Sequence, residues 1–288
     1  MKLDLGGFGI SRYNFDNYLY EQAKNAGVEF FLNEEAESAI FDDEKFCIRT
    51  QRRTLEADIA IGAFGKRSKV DLALNREFIK NRSPYVGIKY HIRTSHPDDL
   101  IALHNFDGGY CGMSNIEDGK TTLCYLTHRE NLKRFKNIRE MEEHTLFKNP
   151  FLGSVFRNAD FLFDKPEVIN EVSFETKSAV HHHILMAGDS AGMIAPLCGN
   201  GMAMAIHSAK IMSELIIQSI GSKSFSRIDL ERTYLKQWNT HFKGRLWRGR
   251  QIQKLFGNAF TSNVIVNLVM NTPPLAQAII KNTHGDPF

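Results

Sequence analysis

Much that would point directly to a function is missing from these 288 residues. The four cysteines, Cys47, Cys111, Cys124 and Cys198, make no Cys-x-x-Cys pair and have no zinc-ligand spacing. That excludes a metal knuckle or a disulfide framework and fits reduced thiols in the cytoplasm. No stretch approaches the roughly 18 consecutive apolar residues of a spanning helix, and Met1-Lys-Leu-Asp-Leu-Gly6 lacks the apolar centre of a signal peptide. The net charge of +3 is mild, and no basic block is interleaved with aromatics, so no nucleic-acid partner is expected. Internal repeats and low-complexity linkers are also lacking.

What remains is an ordinary globular composition, 42% apolar and 24% charged, long enough for one large domain or two closely joined ones. Gly6-Gly-Phe-Gly-Ile-Ser-Arg12 reads as a loop. A helix follows, capped by Asn14, with Phe15, Tyr18, Leu19, Gln22, Ala23 and Ala26 at helical spacing and Gly27 as its stop. Val28 to Leu32 reads as a strand, and Glu35 to Thr50 as a hairpin turning at Asp42-Asp-Glu-Lys45. Asp58 to Gly65 is short and nearly all apolar, like a strand covered on both faces.

From about Ser83 to Thr127 the pattern becomes antiparallel. Candidate strands are Val86–Thr94, Leu100–Phe106, Gly109–Asn115 and Thr121–Leu126, with a turn at Glu117-Asp-Gly119. Arg129 to Phe147 reads as a polar helix, Phe161 to Phe174 as strand-like, and His183 to Ala187 as a buried strand. Met202 to Ile217 is a helix whose face would be Met202, Ala205, Ile206, Ala209, Met212, Ser213 and Ile216. Two further helices span Leu230–Phe256 and Ser262–Met270.

The stretch Ile184 to Met202 carries the most chemistry. A buried strand ends at Gly188-Asp189, where the sheets of α/β folds open onto their ligands. The Asp189 carboxylate can accept hydrogen bonds from a polyol such as ribityl. Pro196 shapes the next loop, and Gly199 and Gly201 lack the Cβ that would keep backbone away from a flat ring. The helix starting near Gly201 would aim its free N–H groups and positive dipole end at that ring, which suits a reduced flavin. Small residues that merely let a helix start pack on a strand are the plainer explanation of the same pattern.

Gly188-Asp-Ser-Ala-Gly192, Pro196 and Gly199-Asn-Gly201 together resemble the second FAD motif of the geranylgeranyl reductase-like flavoproteins. These are part of the p-hydroxybenzoate hydroxylase-type superfamily. Gly9 to Leu19 is similar to the family's Arg-x-x-(apolar)-Asp-x-x-Leu helix, and Ala57 to Ser68 to its middle motif. The resemblance covers about residues 5 to 220. It implies an α/β fold with an interleaved antiparallel β-sheet substrate domain and C-terminal helices. It further implies FAD as cofactor, NAD(P)H as electron donor, and an apolar or aromatic small molecule as substrate. By position, Arg12 would contact the FAD pyrophosphate or ribose side and Gly188-Asp189 the ribityl chain. Pro196, Gly199, Asn200, Gly201 and Met202 would line the isoalloxazine.

Departures from the family matter as well. Phe64 stands in the middle motif where the family has Asp. Gly192 stands where aromatic hydroxylases often carry His, and Gly109-Tyr-Cys-Gly-Met-Ser114 where prenyl reductases are aromatic-rich. The family's Gly-x-Gly-x-x-Gly is absent, and Gly7-Phe-Gly-Ile-Ser-Arg12 is only a near miss. The expected architecture is therefore an N-terminally incomplete, partial FAD-binding Rossmann-like domain. Residues 1–75 and 176–220 form that domain, 76–175 the antiparallel substrate sheet, and 221–288 the C-terminal helices. The expected function is FAD-dependent oxidoreduction, as reductase or monooxygenase; the alternative is a non-catalytic remnant or binding module that does not retain FAD. No catalytic acid or base stands out. His181-His-His183 is not expected to hold a metal. Cys198 is expected to be a packed residue and His207 a structural one. A peripheral membrane contact and the oligomeric state are left open.

Overall fold

The computed structural model describes residues 6–221, 225–256, 262, 264, 267–268, 270–284 and 287–288. In chain order the elements are α1 (Arg12–Asn25), β1 (Ala36–Asp42), β2 (Lys45–Thr50), β3 (Thr54–Ala57), β4 (Ile61–Gly62), α2 (Lys69–Ala73), β5 (Tyr85–Arg93), β6 (Ala102–Phe106), β7 (Gly109–Ile116) and β8 (Lys120–His128). They continue with α3 (Arg129–Arg134), α4 (Ile138–His144), α5 (Pro150–Asn158), β9 (Asp160–Phe161), β10 (Glu167–Ile169), β11 (Val180–His181) and β12 (Ile184–Met186). Toward the C-terminus come α6 (Gly201–Ile220), α7 (Arg227–Trp238), α8 (Gly244–Leu255) and α9 (Pro273–His284). The chain divides into two compact units, the first from residues up to 32, 84–172 and 256–264, the second from 33–83, 173–255 and 265 onward.

The first unit holds α1 and the antiparallel sheet β10-β5-β8-β7-β6, with β9 also paired to β5. The four expected strands are all present. β7 and β8 close at Glu117-Asp-Gly119, where Asp118 and Gly119 both take positive φ. The helix expected over Arg129–Phe147 is broken into α3 and α4, because Phe135 and its neighbours leave helical backbone and Asn137 starts a new cap on the Glu140 N–H. One face of the sheet is closed by α4 and α5, around Ile88, Ile92, Leu123, Met141, Leu146 and Leu152, all fully buried. Only two short strands form within Phe161–Phe174.

One charge lies within that apolar layer. Glu142 is 1% exposed, and its Oε1 accepts hydrogen bonds from the hydroxyls of Tyr90 at 2.8 Å and Tyr125 at 2.7 Å. Burial pushes the Glu142 carboxyl above its ordinary range, while the two hydroxyls and Arg139 pull the other way.

Two readings of the first unit need correction. Helix α1 begins a turn earlier than expected: Ser11, not Asn14, is the cap, and its Oγ accepts the Asn14 N–H. Residues 28–32 form no strand, since no ladder partner lies beside them among the described residues. Apolar composition alone does not make a strand without a neighbour to bond.

The second unit contains the meander β1-β2-β3 and the small sheet β11-β12-β4, covered by α2, α6, α7 and α8. The β1–β2 turn has positive φ at both central residues, Asp43 and Glu44, the geometry that matches strand twist. β4 runs parallel to β12, with Ile61 opposite Leu185 and Gly62 opposite Met186. The strand expected over Asp58–Gly65 shrinks to these two residues. As an edge strand it leaves Ile61 51% exposed rather than covered on both faces.

The face expected for α6 also differs. Its buried residues are Met204, Ser208, Ile211 and Met212, while Met202 and Ile206 are exposed. The helix is apolar nearly all round, so spacing alone selects no unique face. The long helix expected over Leu230–Phe256 is interrupted by a π-turn at Asn239–Lys243 between α7 and α8. Of the helix expected at Ser262–Met270, residues 262, 264, 267, 268 and 270 are helical, and the others lie outside the described residues. No described helix is long and apolar enough to cross a membrane.

Tyr125→Phe removes one of the two donors to a buried carboxyl and should cost about 1–3 kcal/mol in urea unfolding. Because the folded Glu142 pKa is raised, its stabilising share is complete at low pH and is lost as pH rises through that pKa. Stability profiles of wild type and Glu142→Gln should therefore diverge above the ordinary carboxyl range, with wild type falling relative to the variant.

Candidate functional site

The β12 strand ends in a 3₁₀ turn, Gly188–Ser190, in the second unit. Gly188 has a φ of 56°, and a Cβ there would lie 3.1 Å from the Ala205 Cβ of α6. Its N–H donates to Ser208 Oγ at 3.0 Å, and Ser208 in turn donates to the Ala205 carbonyl. The first residue of the motif is thus fixed by close packing of strand end on helix. Gly192 has a comparable reason, since a Cβ would come within 2.8 Å of Leu246 Cδ1 on α8. A larger side chain, such as the histidine of related hydroxylases, would displace that helix.

Two cations, the buried Arg76 and the half-buried Lys177, hold this turn. Arg76 pairs with Asp71 at 2.9 Å, with side chains 3% and 0% exposed. It also donates to the carbonyls of Ser190 and Ser178. Lys177 donates to the carbonyls of Asp189 at 2.8 Å and Lys66 at 2.7 Å, over the face of Phe78. Burial lowers the Arg76 pKa and brings Lys177 down to about 8. The segment from Lys66 to Arg76 is therefore fastened to Gly188–Ser190. Phe64, in place of the family's Asp, packs beside Gly62 and against the second unit's core.

The next loop forms a 3₁₀ turn at Pro196–Cys198 and leaves it through Gly199, whose φ is 67° and whose Cβ position is open. Pro196, Gly199 and Met202 are exposed, while Asn200 is buried. α6 starts without a side-chain cap. Asn200 instead donates its amide to the Thr283 carbonyl at 2.6 Å, and its Oδ1 is buried without a hydrogen-bond partner among the described residues. The result is a loop that is open at Gly199 and leads into an uncapped helix N-terminus.

Other candidates take structural places. Cys198 is buried, and burial lifts its thiol to about 11, as expected of a packed residue rather than a nucleophile. His182 and His183 are the two turn residues between β11 and β12, with φ of 47° and 65°, not strand residues as read from sequence. Their neighbour His181 bonds the Leu74 carbonyl and meets the His182 ring edge-on at 4.6 Å, while His183 bonds Glu231. No group that could hold a metal occurs among the described residues. Arg12 belongs to the first unit, exposed at the start of α1, where it pairs with Asp16 at 2.8 Å. Sequence reasoning missed Arg76, Lys177 and Ser208. Only Ser208, a lone hydroxyl in an apolar helix, left a legible signal.

No family model matches the chain. The digeranylgeranylglycerophospholipid reductase of Methanosarcina mazei is 24% identical over 246 residues, covering 81% of this chain and 58% of that protein. The asperlicin C monooxygenase of Petromyces alliaceus is 21% identical, covering 84% of this chain and 59% of that protein. The crystal structure of Klebsiella pneumoniae HpxO complexed with FAD and uric acid superposes with a TM-score of 0.71 at 12% identity, covering 95% of this chain and 71% of that one. The fold is therefore that of the FAD-binding, Rossmann-type flavoproteins, here with an interleaved antiparallel sheet and C-terminal helices. In sequence the chain is similar to a reductase and to a monooxygenase of small molecules by name. It spans 58–59% of the length of these two curated relatives.

The ring-side residues fit a flavin. The open space at Gly199 and the uncapped α6 N-terminus leave room and free N–H groups for a flat heterocycle.

Gly188→Ala should lose about 1–3 kcal/mol in chemical unfolding, from left-handed backbone and contact with Ala205. Lys177 binds fewer protons folded than unfolded between about 8 and its ordinary 10.5. Wild-type thermal stability should rise relative to Lys177→Met across that window, and a flat difference would contradict the burial of the ammonium.

Proposed function

We propose that the chain acts in FAD-dependent oxidoreduction on an apolar or aromatic small molecule, with NAD(P)H as electron donor. The observation that carries this reading is the Pro196–Met202 loop, open at Gly199, at the uncapped start of α6 and shortly after the anchored Gly188–Ser190 turn. A bound flavin would supply the redox chemistry itself. The protein's part is to bind, orient and polarise.

In this proposal Gly188 and Asp189 meet the ribityl chain, Asp189 as acceptor for its hydroxyls. Pro196, Gly199, Asn200, Gly201 and Met202 line the ring. The α6 dipole end favours negative charge at the ring's pyrimidine side. Arg12 is assigned to the pyrophosphate, for which its guanidinium would exchange Asp16 for phosphate oxygens. The antiparallel sheet of residues 76–175 is assigned as the substrate region. The names of the relatives include both a reductase and a monooxygenase; oxygen uptake separates the two, since only a monooxygenase consumes dioxygen in step with product.

Purified chain mixed with FAD should show a structured visible flavin spectrum and quenched flavin fluorescence. Asp189→Ala, with an unchanged thermal midpoint, should weaken that binding on the order of tenfold to a hundredfold. A folded wild-type chain that stays colourless after FAD addition would defeat the reading in favour of a non-catalytic binding module. An Asp189→Ala protein with full affinity would remove the ribityl assignment alone.

A further inference from the structure

A cavity of about 410 Å³ lies within the second unit, along β1. Four consecutive residues of that strand, Ser38 to Phe41, line it. Successive side chains of a strand point to opposite faces, so a wall of consecutive residues is the strand's backbone edge and not one of its faces. Among the described strands β1 pairs only with β2, which leaves its other edge open.

The register fixes which main-chain groups face the cavity. Asp42 and Lys45 close a two-residue turn, so they exchange both of their main-chain hydrogen bonds. Bonded pairs alternate along an antiparallel ladder, which makes Ile40–Cys47 and Ser38–Arg49 bonded pairs as well. The N–H and C=O groups of Ala39 and Phe41 therefore point away from β2, on the side of the cavity. A bulge before Ser38 bounds this regular edge at one end, and the turn at Asp43 bounds it at the other. Nothing else among the described residues hydrogen-bonds these four groups.

The opposite wall runs from Ala73, at the end of α2, to Asn75 and continues with His182 and His183. Its two parts are tied together, since His181 bonds the Leu74 carbonyl at 3.2 Å. His183 is fixed by Glu231 at 2.9 Å and lies against the Phe41 ring at 4.5 Å. A guest thus finds the cavity already ordered, which lowers the entropy lost on binding. The side chains of Asn75 and His182 make no hydrogen bond among the described residues. No Lys, Arg, Asp or Glu lines the cavity among those residues.

We propose that this cavity takes a short, extended peptide segment of uncharged residues, which adds a strand to the open edge of β1. Two N–H and two C=O groups spaced two residues apart are the complement of one strand edge. Residues 38–41 span roughly 13 Å at about 3.3 Å per residue, enough for three or four guest residues. The far wall suits the guest's other edge, because the Asn75 carboxamide and the His182 imidazole can each give or take a main-chain hydrogen bond. The lining without formal charge selects uncharged residues. A second copy of the folded chain does not fit, since its own β1 edge lies behind the same walls. The proposal does not rest on the flavin reading.

The test follows the backbone amide signals of the full, isotopically labelled chain by NMR, with N-acetyl-Ala-Val-Ala-Val-amide as probe. Saturable downfield shifts of the Ala39 and Phe41 amide protons are expected, while the Ile40 amide, already bonded to β2, moves less. The same peptide N-methylated at every residue has lost its main-chain donors and should give no shift. Ala39→Pro removes one outward donor and no bond of the β1–β2 ladder, and should weaken binding by roughly fivefold or more. Asn75→Gly keeps the left-handed backbone and removes the carboxamide. It should weaken binding by roughly twofold or more without moving the thermal midpoint, and it serves where the proline variant fails to fold. The proposal is overturned if the peptide gives no saturable shift up to about 10 mM, or if the N-methylated peptide shifts the same signals equally. It is equally overturned if raising the protein concentration alone produces the shifts, which would make a second copy the occupant, or if every folded variant binds as wild type does.

Discussion

The ion pair between Arg76 and Asp71 is the interaction on which the glycine-rich turn depends. Both side chains are almost wholly withdrawn from water, at 3% and 0% exposure. Such a pair is not stabilising by its Coulomb attraction alone, because desolvating both charges costs about as much as the attraction returns. What makes it tolerable is that the guanidinium also meets the carbonyls of Ser190 and Ser178. Asp71 meanwhile caps α2, accepting the Ser68 N–H at 2.8 Å. Removing either partner would leave a buried charge unanswered, and the turn would lose its anchor. Lys177 repeats the device on the other side, tying Lys66 to Asp189.

This division of labour separates two roles that one glycine-rich motif carries. At Gly188 and Gly192 a Cβ would crowd Ala205 of α6 and the Leu246 side chain of α8, at 3.1 and 2.8 Å. Packing accounts for both without any ligand. Gly199 is different, since nothing stands within 4 Å of where its Cβ would be. Its left-handed backbone turns the chain out of a 3₁₀ turn and leaves exposed space above. The plain packing explanation thus accounts for the first half of the motif, and the flavin reading draws its strength from the second half.

Legibility followed the same line. The antiparallel strands β5 to β8 were readable because each alternates or carries its own turn chemistry, and local signals suffice for hairpins. The parallel pairing of β4 with β12 was readable only as composition, and its two-residue length was not, since an edge position is a tertiary fact. The α6 helix was legible as a helix but not by its face, because Met202 and Ile206 are as apolar as the buried Met204 and Ile211. The motif residues around Gly188–Met202 stood out by spacing. Arg76 and Lys177 did not, because their partners are carbonyls of residues far along the chain, and a carbonyl leaves no trace in a sequence.

That blind spot has a physical consequence for how such sites are recognised. Motifs record residues whose side chains, or lack of them, are constrained by what they touch. The cations that fasten a turn through its carbonyls are constrained by burial and by each other instead. In this chain the visible motif supplies the surface on which a flat cofactor would rest. The unmarked pair, Arg76 and Lys177, supplies the rigidity that would keep Asp189 in place. A substitution of Arg76 would therefore act on the site without touching any residue of the motif. Its effect would reach the cofactor through the position of the Gly188–Ser190 backbone and not through lost contact.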